Sequence, residues 1–184
     1  MILMEECQLT YDRWSMKQKL SIFVITELLV ITLIGAAGLW AYQRIPQSAA
    51  ESLTQFYTAK DLAEDQIMDP LILAGDKVVA PLMNEVRKKD MPQRRYAIRA
   101  LGNLRNPISM PALHAILDDP TEKDYFRCDA LRAISLINIE YGIRAAQSYQ
   151  TNTSSCLAKA SEEVLSRQVS LDRNYLQALL STHQ

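Results

Sequence analysis

From Leu20 to Ala41 the chain reads LSIFVITELLVITLIGAAGLWA, with Glu27 as its one charge. Coiled as an α-helix, this run is roughly 33 Å long, the thickness of a bilayer's hydrocarbon core. Lys17 and Lys19 precede it, and Trp40 and Tyr42 close it, as interfacial anchors do. The pattern predicts a transmembrane helix over residues 20–43 after an amino-terminal tail, 1–19. Pro46-Gln47-Ser48 then breaks the helix and offers Ser48 as N-cap of a connecting helix within 44–63. Asp61 and Glu64 have capping-box spacing for a helix running towards Ala74, and Gly75-Asp76 is a stop and turn.

Further on the apolar positions shorten into paired stripes. In RRYAIRALGNLRNPISMPALHAIL, Ala97, Ala100, Leu101 and Leu104 form one stripe at helical spacing, and Met110, Leu113 and Leu117 form another. Ala97 and Ala100 are small enough for close helix approach, and Pro107 and Pro111 start the second helix. The stripes recur. Asp76, Val78 and Pro81 align with Asn106, Ile108 and Pro111 at an offset of 30 residues. Arg94, Ala97 and Arg99-Ala100-Leu101 align with Arg127, Ala130 and Arg132-Ala133-Ile134 at an offset of 33. A period of about 30 to 33 residues built from helix pairs predicts a stacked solenoid, in which each pair needs its neighbours to bury its faces.

Arg94, Ala97, Ala100-Leu101-Gly102, Asn106-Pro107 and Pro111-Ala112-Leu113 resemble the HEAT-like repeat of the phycobilisome-lyase type. Asp118-Asp119-Pro120 resembles its inter-repeat loop, and GDKVVAPL (75–82) a variant of its second helix. The resemblance covers residues 64–150 and is closest over 74–135. The stretches SSCLAKASEEVLSRQ and SLDRNYLQALLS, within 151–184, read as two helices capping the open end of the stack. The expected fold class is all-α: one transmembrane helix, a short HEAT-like solenoid and a helical cap. The resemblance implies a binding scaffold and assigns Arg94 and Arg127 to ties between adjacent repeats.

A net charge of −1 excludes no partner class. The distribution of charge says more. Arg87, Lys88, Lys89, Arg94, Arg95, Arg99 and Arg105 outnumber Glu85 and Asp90, whereas residues 117–140 are mainly acidic. Lys88, Lys89, Arg95 and Arg99 are the expected exposed contacts for an acidic protein partner or anionic lipid headgroups. Nucleic acid is not an expected partner for a domain facing away from the cytoplasm. Asp118, Asp119, Glu122 and Asp124 could hold a cation, but Thr121 and Asp124 have capping-box spacing. Some members of the family the chain resembles are hydroxylases that bind iron through His-Glu pairs; His114 and His183 are the only histidines and neither is followed by Glu, so such a site has no ligands here. No GxSxG, HExxH, P-loop or GxGxxG occurs, so no catalytic residue, metal or cofactor is assigned. Cys7, Cys128 and Cys156 lack CxxC spacing. Outside the cytoplasm Cys128 and Cys156 could pair; otherwise they pack as small apolar residues.

Glu27 is expensive in a bilayer and is therefore a candidate contact between membrane helices. FVITELLVITLIG also resembles the amino-terminal helix of type IV pilins, with Ile22 rather than a small residue before Phe23. In those proteins the corresponding glutamate docks subunits into a filament. Gly35-Ala36-Ala37 offers a signal-peptide cleavage alternative, although the apolar run continues past it. Arg13, Lys17 and Lys19 before the span, against Arg44 and Lys60 after it, favour a cytoplasmic amino terminus. The expected protein is a single-pass cytoplasmic-membrane docking or assembly subunit with its main domain outside. A pilin-like filament subunit using Glu27 is the alternative; a lyase-type enzyme, the third reading, is not expected because the sequence offers no site for it.

Overall fold

The computed structural model describes the backbone of residues 2–59, 62–64, 66–151, 154–171 and 175–180. Within these ranges it describes side chains from residue 21 onward, except Ile22 and Tyr175. All regular structure among the described residues is helical. The chain divides into two compact units, Met1–Gln43 and Arg44–Gln184.

The first unit lies within one helix, α1 (Ile2–Arg44), which takes in both the tail and the apolar run. Its segment Phe23–Arg44 is long and apolar enough to cross a membrane, and none of it is buried by the protein. Thr26 and Thr32 donate their hydroxyls to the carbonyls of Phe23 and Leu28 at 2.8 and 2.6 Å, so the helix satisfies these two hydroxyls itself.

The second unit begins with α2 (Ala49–Thr58), where the Ser48 hydroxyl accepts from the Glu51 N–H as an N-cap. The helix expected from Asp61 to Ala74 is shorter than its spacing predicts. Asp61 lies outside the described residues, and the backbone at 62–64 and 66–68 forms bends and turns before α3 (Asp69–Ala74). Pro70 explains the difference: inside a longer helix its ring would meet the carbonyl of Gln66, whereas at the first turn it is tolerated. Gly75, at φ 61°, turns α3 into α4 (Asp76–Val86).

α5 (Arg94–Leu104) ends on Arg105 in the left-handed region, and Asn106 caps the short 3-10 turn Pro107–Ser109 that leads into α6 (Met110–Asp118). α7 (Asp124–Ile137), α8 (Ile139–Tyr149) and α9 (Ser155–Leu165) follow. The helices α3, α5, α7 and α9 pack side by side in that order. α4 lies against α5, α6 against α7, and α8 against both α7 and α9. The aligned positions Ala97 and Ala130, Ala100 and Ala133, and Leu101 and Ile134 are all fully buried. Small residues set the separations. A Cβ added at Gly102 would lie 2.7 Å from the Ala133 Cα, and one at Gly142 would lie 2.5 Å from the Ser135 Cβ. Ile108 breaks the equivalence: it is 63% exposed where its counterpart Val78 is fully buried. Its turn is 3-10 rather than α, which rotates the side chain outward.

Two expectations are corrected. The Thr121–Asp124 capping box does not form: Lys123 is the N-cap of α7 and makes no side-chain cap bond. Both the N–H and the hydroxyl of Thr121 instead bond Asp119 Oδ1 in a local turn. At the carboxy-terminal end only α9 continues the stack. After Arg167 the chain returns to the far side of the fold, where Asn103 donates to the Leu171 carbonyl at 3.1 Å and α10 (Tyr175–Leu180) packs against α3. Leu171 and Ala178 bury there at 2% and 3% exposure.

Candidate functional site

The polar side chains of the second unit are organised at the repeat period. Asn106 donates to Asp76, Lys89 to Asp119, Arg95 to Asp129 and Arg132 to Glu163, each across 30 to 34 residues of sequence. Equivalent groups on successive helix pairs lie beside one another, so in the last three of these a basic side chain meets an acid in the next repeat.

At the loop edge Arg94 is buried. Its Nε donates to the Val86 carbonyl at 2.6 Å, its Nη1 pairs with Glu122 at 2.6 Å, and its guanidinium lies 4.8 Å from the centre of the Phe126 ring. Arg127 makes the matching bond to the Leu117 carbonyl at 2.9 Å. These two arginines tie α5 and α7 to the last turns of the helices before them, α4 and α6. Beside them, the exposed Lys89 reaches both Asp119 and Thr121. The Lys89 ammonium, and then Thr121, hold the Asp119 carboxyl well below the usual range. Lys88 pairs with Glu85, which also accepts from the Tyr57 hydroxyl at 2.9 Å. Those two bonds, that of Lys88 first, lower the Glu85 pKa. Burial, and then Glu85, push Tyr57 up to about 12.

On the first-helix face Arg95, Asp129, Arg132 and Glu163 form a continuous ladder across α5, α7 and α9. Asp129 is buried, and its hydrogen bond to Arg95 raises the arginine's pKa. Arg99 is half-buried, and its buried Nε has no hydrogen-bond partner among the described residues.

The four expected contact residues therefore occupy two places. Lys88 and Lys89 lie in the loop between α4 and α5, while Arg95 and Arg99 sit one turn apart on α5. They do not form one uncompensated strip, because Lys88, Lys89 and Arg95 each engage a carboxylate. The partners Glu85, Asp129 and Glu163 escaped sequence reasoning, although Arg95–Asp129 and Arg132–Glu163 are separated by about one repeat.

The acidic cluster is divided among other tasks: Glu122 holds Arg94, Asp119 holds Lys89 and Asp124 lies 3.7 Å from Arg127. Among the described residues no group of three or more His, Cys, Asp or Glu could hold a metal ion. His114 packs edge-on to Tyr141, with ring centroids 4.7 Å apart, and its Nδ1 is 3.9 Å from Asp118. Cys128 of α7 and Cys156 of α9 meet as a disulfide, with Cα atoms 6.1 Å apart. The side chain of Cys7 and all of His183 lie outside the described residues.

This is an all-α protein in which helix pairs stack around shared interfaces and present their charges in register. Residues 93–119, spanning α5 and α6, match the family model of the PBS lyase HEAT-like repeat, so the chain carries a HEAT-like repeat. No curated protein and no solved structure matches the chain.

Proposed function

We propose that this protein is a single-pass membrane-anchored docking subunit, which recruits or assembles protein partners outside the cytoplasm and performs no chemistry of its own. The observation that carries the reading is the HEAT-like repeat in a chain that also holds a helix long and apolar enough to span a bilayer. Repeats of this kind act as extended surfaces for protein recognition, and the apolar helix supplies the tether. A disulfide between α7 and α9 favours an oxidising compartment for the domain.

Two surfaces can receive partners under this reading. Lys88 and Lys89 are exposed, with side chains 58% and 57% accessible, and their ion pairs are weak surface contacts that an acidic partner or anionic lipid can displace. Arg95 and Arg99 contribute less freely, since Asp129 engages the first and the second is half-buried. Glu27 is the other surface: an ionisable group inside the apolar segment is satisfied by a neighbouring membrane helix. The filament-subunit alternative rests on that residue and on the resemblance of the surrounding FVITELLVITLIG to a pilin amino-terminal helix.

Crosslinking and recovery of the native membrane complex tests the proposal. The chain, a Lys88→Glu/Lys89→Glu variant and a Glu27→Leu variant are compared in the same membranes. The docking reading expects discrete partners whose recovery falls with the lysine reversal, most clearly at low salt. A loss confined to Glu27→Leu, with only copies of this chain recovered, moves the function to the membrane helix. Recovery of neither partners nor copies sinks both readings.

A further inference from the structure

We propose that the edge at which the second helices of the pairs begin is a docking surface for an acidic peptide segment, one that carries both carboxylates and apolar side chains. This rests on the docking reading and adds a third surface to it. Ile108 and Tyr141 occupy equivalent places at an offset of 33 residues, at the starts of the second helices α6 and α8. The side chains of the caps Asn106 and Asn138 each accept from the N–H of these residues at 3.0 Å. Both residues are left on the surface, 63% and 42% exposed, where Val78 in the preceding pair is fully buried.

Contacts join the two positions into one strip across α4, α6 and α8. Asn106 donates to Asp76 at 2.8 Å, which places Lys77, Arg105 and Ile108 within two residues of a single bond. His114, further along α6, packs edge-on to Tyr141, and the Arg144 guanidinium lies 5.1 Å from the centre of the same ring. Stacking on Tyr141 orients that guanidinium and leaves its N–H edge for a carboxylate.

Charge decides the occupant. Lys77, Arg105 and Arg144 are exposed and have no ion pair among the described residues, unlike Lys88, Lys89, Arg94 and Arg95. The carboxylates nearby have other partners: Asn106 for Asp76, Tyr149 for Asp118 and Arg167 for Glu140. Three cations without counter-charges, beside an exposed isoleucine and an Arg–Tyr pair, are complemented by a segment that is both acidic and apolar. Neighbouring helices pack roughly 10 Å apart, so a segment crossing all three needs about six or seven extended residues. A second copy of the chain fits poorly, because its own acidic loop already holds Lys89, Arg94 and Arg127.

A random seven-residue peptide library is selected against the full chain in neutral detergent, and the enriched peptides are titrated by fluorescence anisotropy against variants. Enriched sequences are expected to combine Asp or Glu with aliphatic or aromatic residues. Their binding should weaken roughly tenfold or more in Lys77→Glu/Arg144→Glu and in Ile108→Ser, and stay unchanged in Lys88→Glu/Lys89→Glu. In a chain bearing p-benzoylphenylalanine at position 108, with no charge reversed, light should crosslink the peptide. Failure to enrich any peptide, or enrichment of peptides without acidic residues, overturns the proposal. Binding lost only in Lys88→Glu/Lys89→Glu also overturns it, and leaves the docking reading at the loop edge. Crosslinking from position 108 to a second copy, or to lipid in phosphatidylglycerol nanodiscs, in place of the peptide replaces the proposed occupant and overturns it. Recovery of partners from native membranes still decides the docking reading separately.

Discussion

At the scale of single residues, Arg94 joins adjacent repeats, and so do two of the expected contact residues, Lys89 and Arg95. Arg94 is 2% exposed and Glu122 5%, so their pair is dry, and the remaining bonds of the guanidinium go to backbone and ring. Arg94→Met would leave Glu122 buried without its counter-charge, which typically costs about 3–5 kcal/mol. Urea unfolding of residues 44–184 checks this, because the whole described core lies inside that unit. Retention of most of the stability would mean that water or a rotated Lys123 satisfies Glu122. Tyr57 offers a second handle. Its pKa is raised from 10.0 to about 12, by burial first and by Glu85 second. Between those values the unfolded chain has lost the proton that the folded chain keeps. Stability is therefore fully present below pH 10 and falls as pH rises towards 12. Tyr57→Phe is expected to shallow this alkaline limb in a melting-temperature profile, and an unchanged limb would assign it to other groups. The roles of Arg94 and Arg127 are what the family resemblance implies, whereas the acidic partner of Arg94 could not be read in the same way. Glu122 sits in a run of carboxylates that reads as solvated, and only the fold selects it for burial.

At the scale of elements, legibility follows how local the deciding interaction is. The stripes Ala97–Leu104 and Met110–Leu117, the Ser48 cap, the Gly75 turn and the proline start of α6 are settled within a few residues, and they are plain in the sequence. The return of the carboxy-terminal segment is not. Nothing near Leu171 or Ala178 distinguishes a cap over the end of the stack from a strap across α5 and α3; the apolar surface that receives them is assembled from residues some 70 to 100 positions earlier. The pattern likewise supports an unbroken helix over 61–74 until Pro70 is weighed against the carbonyl it would strike. Close approach is the element-level property most open to test. Gly102 leaves room for Ala133 and Leu171 together, the latter's Cδ1 falling 2.9 Å from an added Cβ. Gly102→Val would press on the backbone of α7 and loosen the strap at once. The expected loss is about 1–3 kcal/mol despite the valine's lower backbone entropy in the unfolded chain. Amide exchange should show the added opening at α7 and at the segment around Leu171. Exchange altered at α7 alone would mean that the strap does not depend on this crossing.

At the scale of the whole molecule, the compartment of the second unit is the property on which the docking reading depends, and two independent features bear on it. Lys17 and Lys19 before the apolar segment favour an amino terminus held in the cytoplasm. The bridge between α7 and α9 favours the opposite side for everything after Arg44, since cytosolic thiols stay reduced. The two are separable because the first concerns insertion and the second chemistry after insertion. The prediction is that residues 44–184 are digested by protease added to intact spheroplasts, while thiol-blocking reagent added before lysis leaves Cys128 and Cys156 unmodified until a reductant is supplied. Closing a loop of 28 residues contributes about 3–4 kcal/mol through the unfolded state, so reduction should also lower the melting temperature of the domain. Protection from protease together with free thiols would put the repeats in the cytoplasm, where Lys88 and Lys89 would meet the anionic inner leaflet and cytosolic partners instead. Digestion together with free thiols would keep the orientation and remove the bridge, leaving Cys128 as one more small residue in the crowded seam where α7 receives its neighbours.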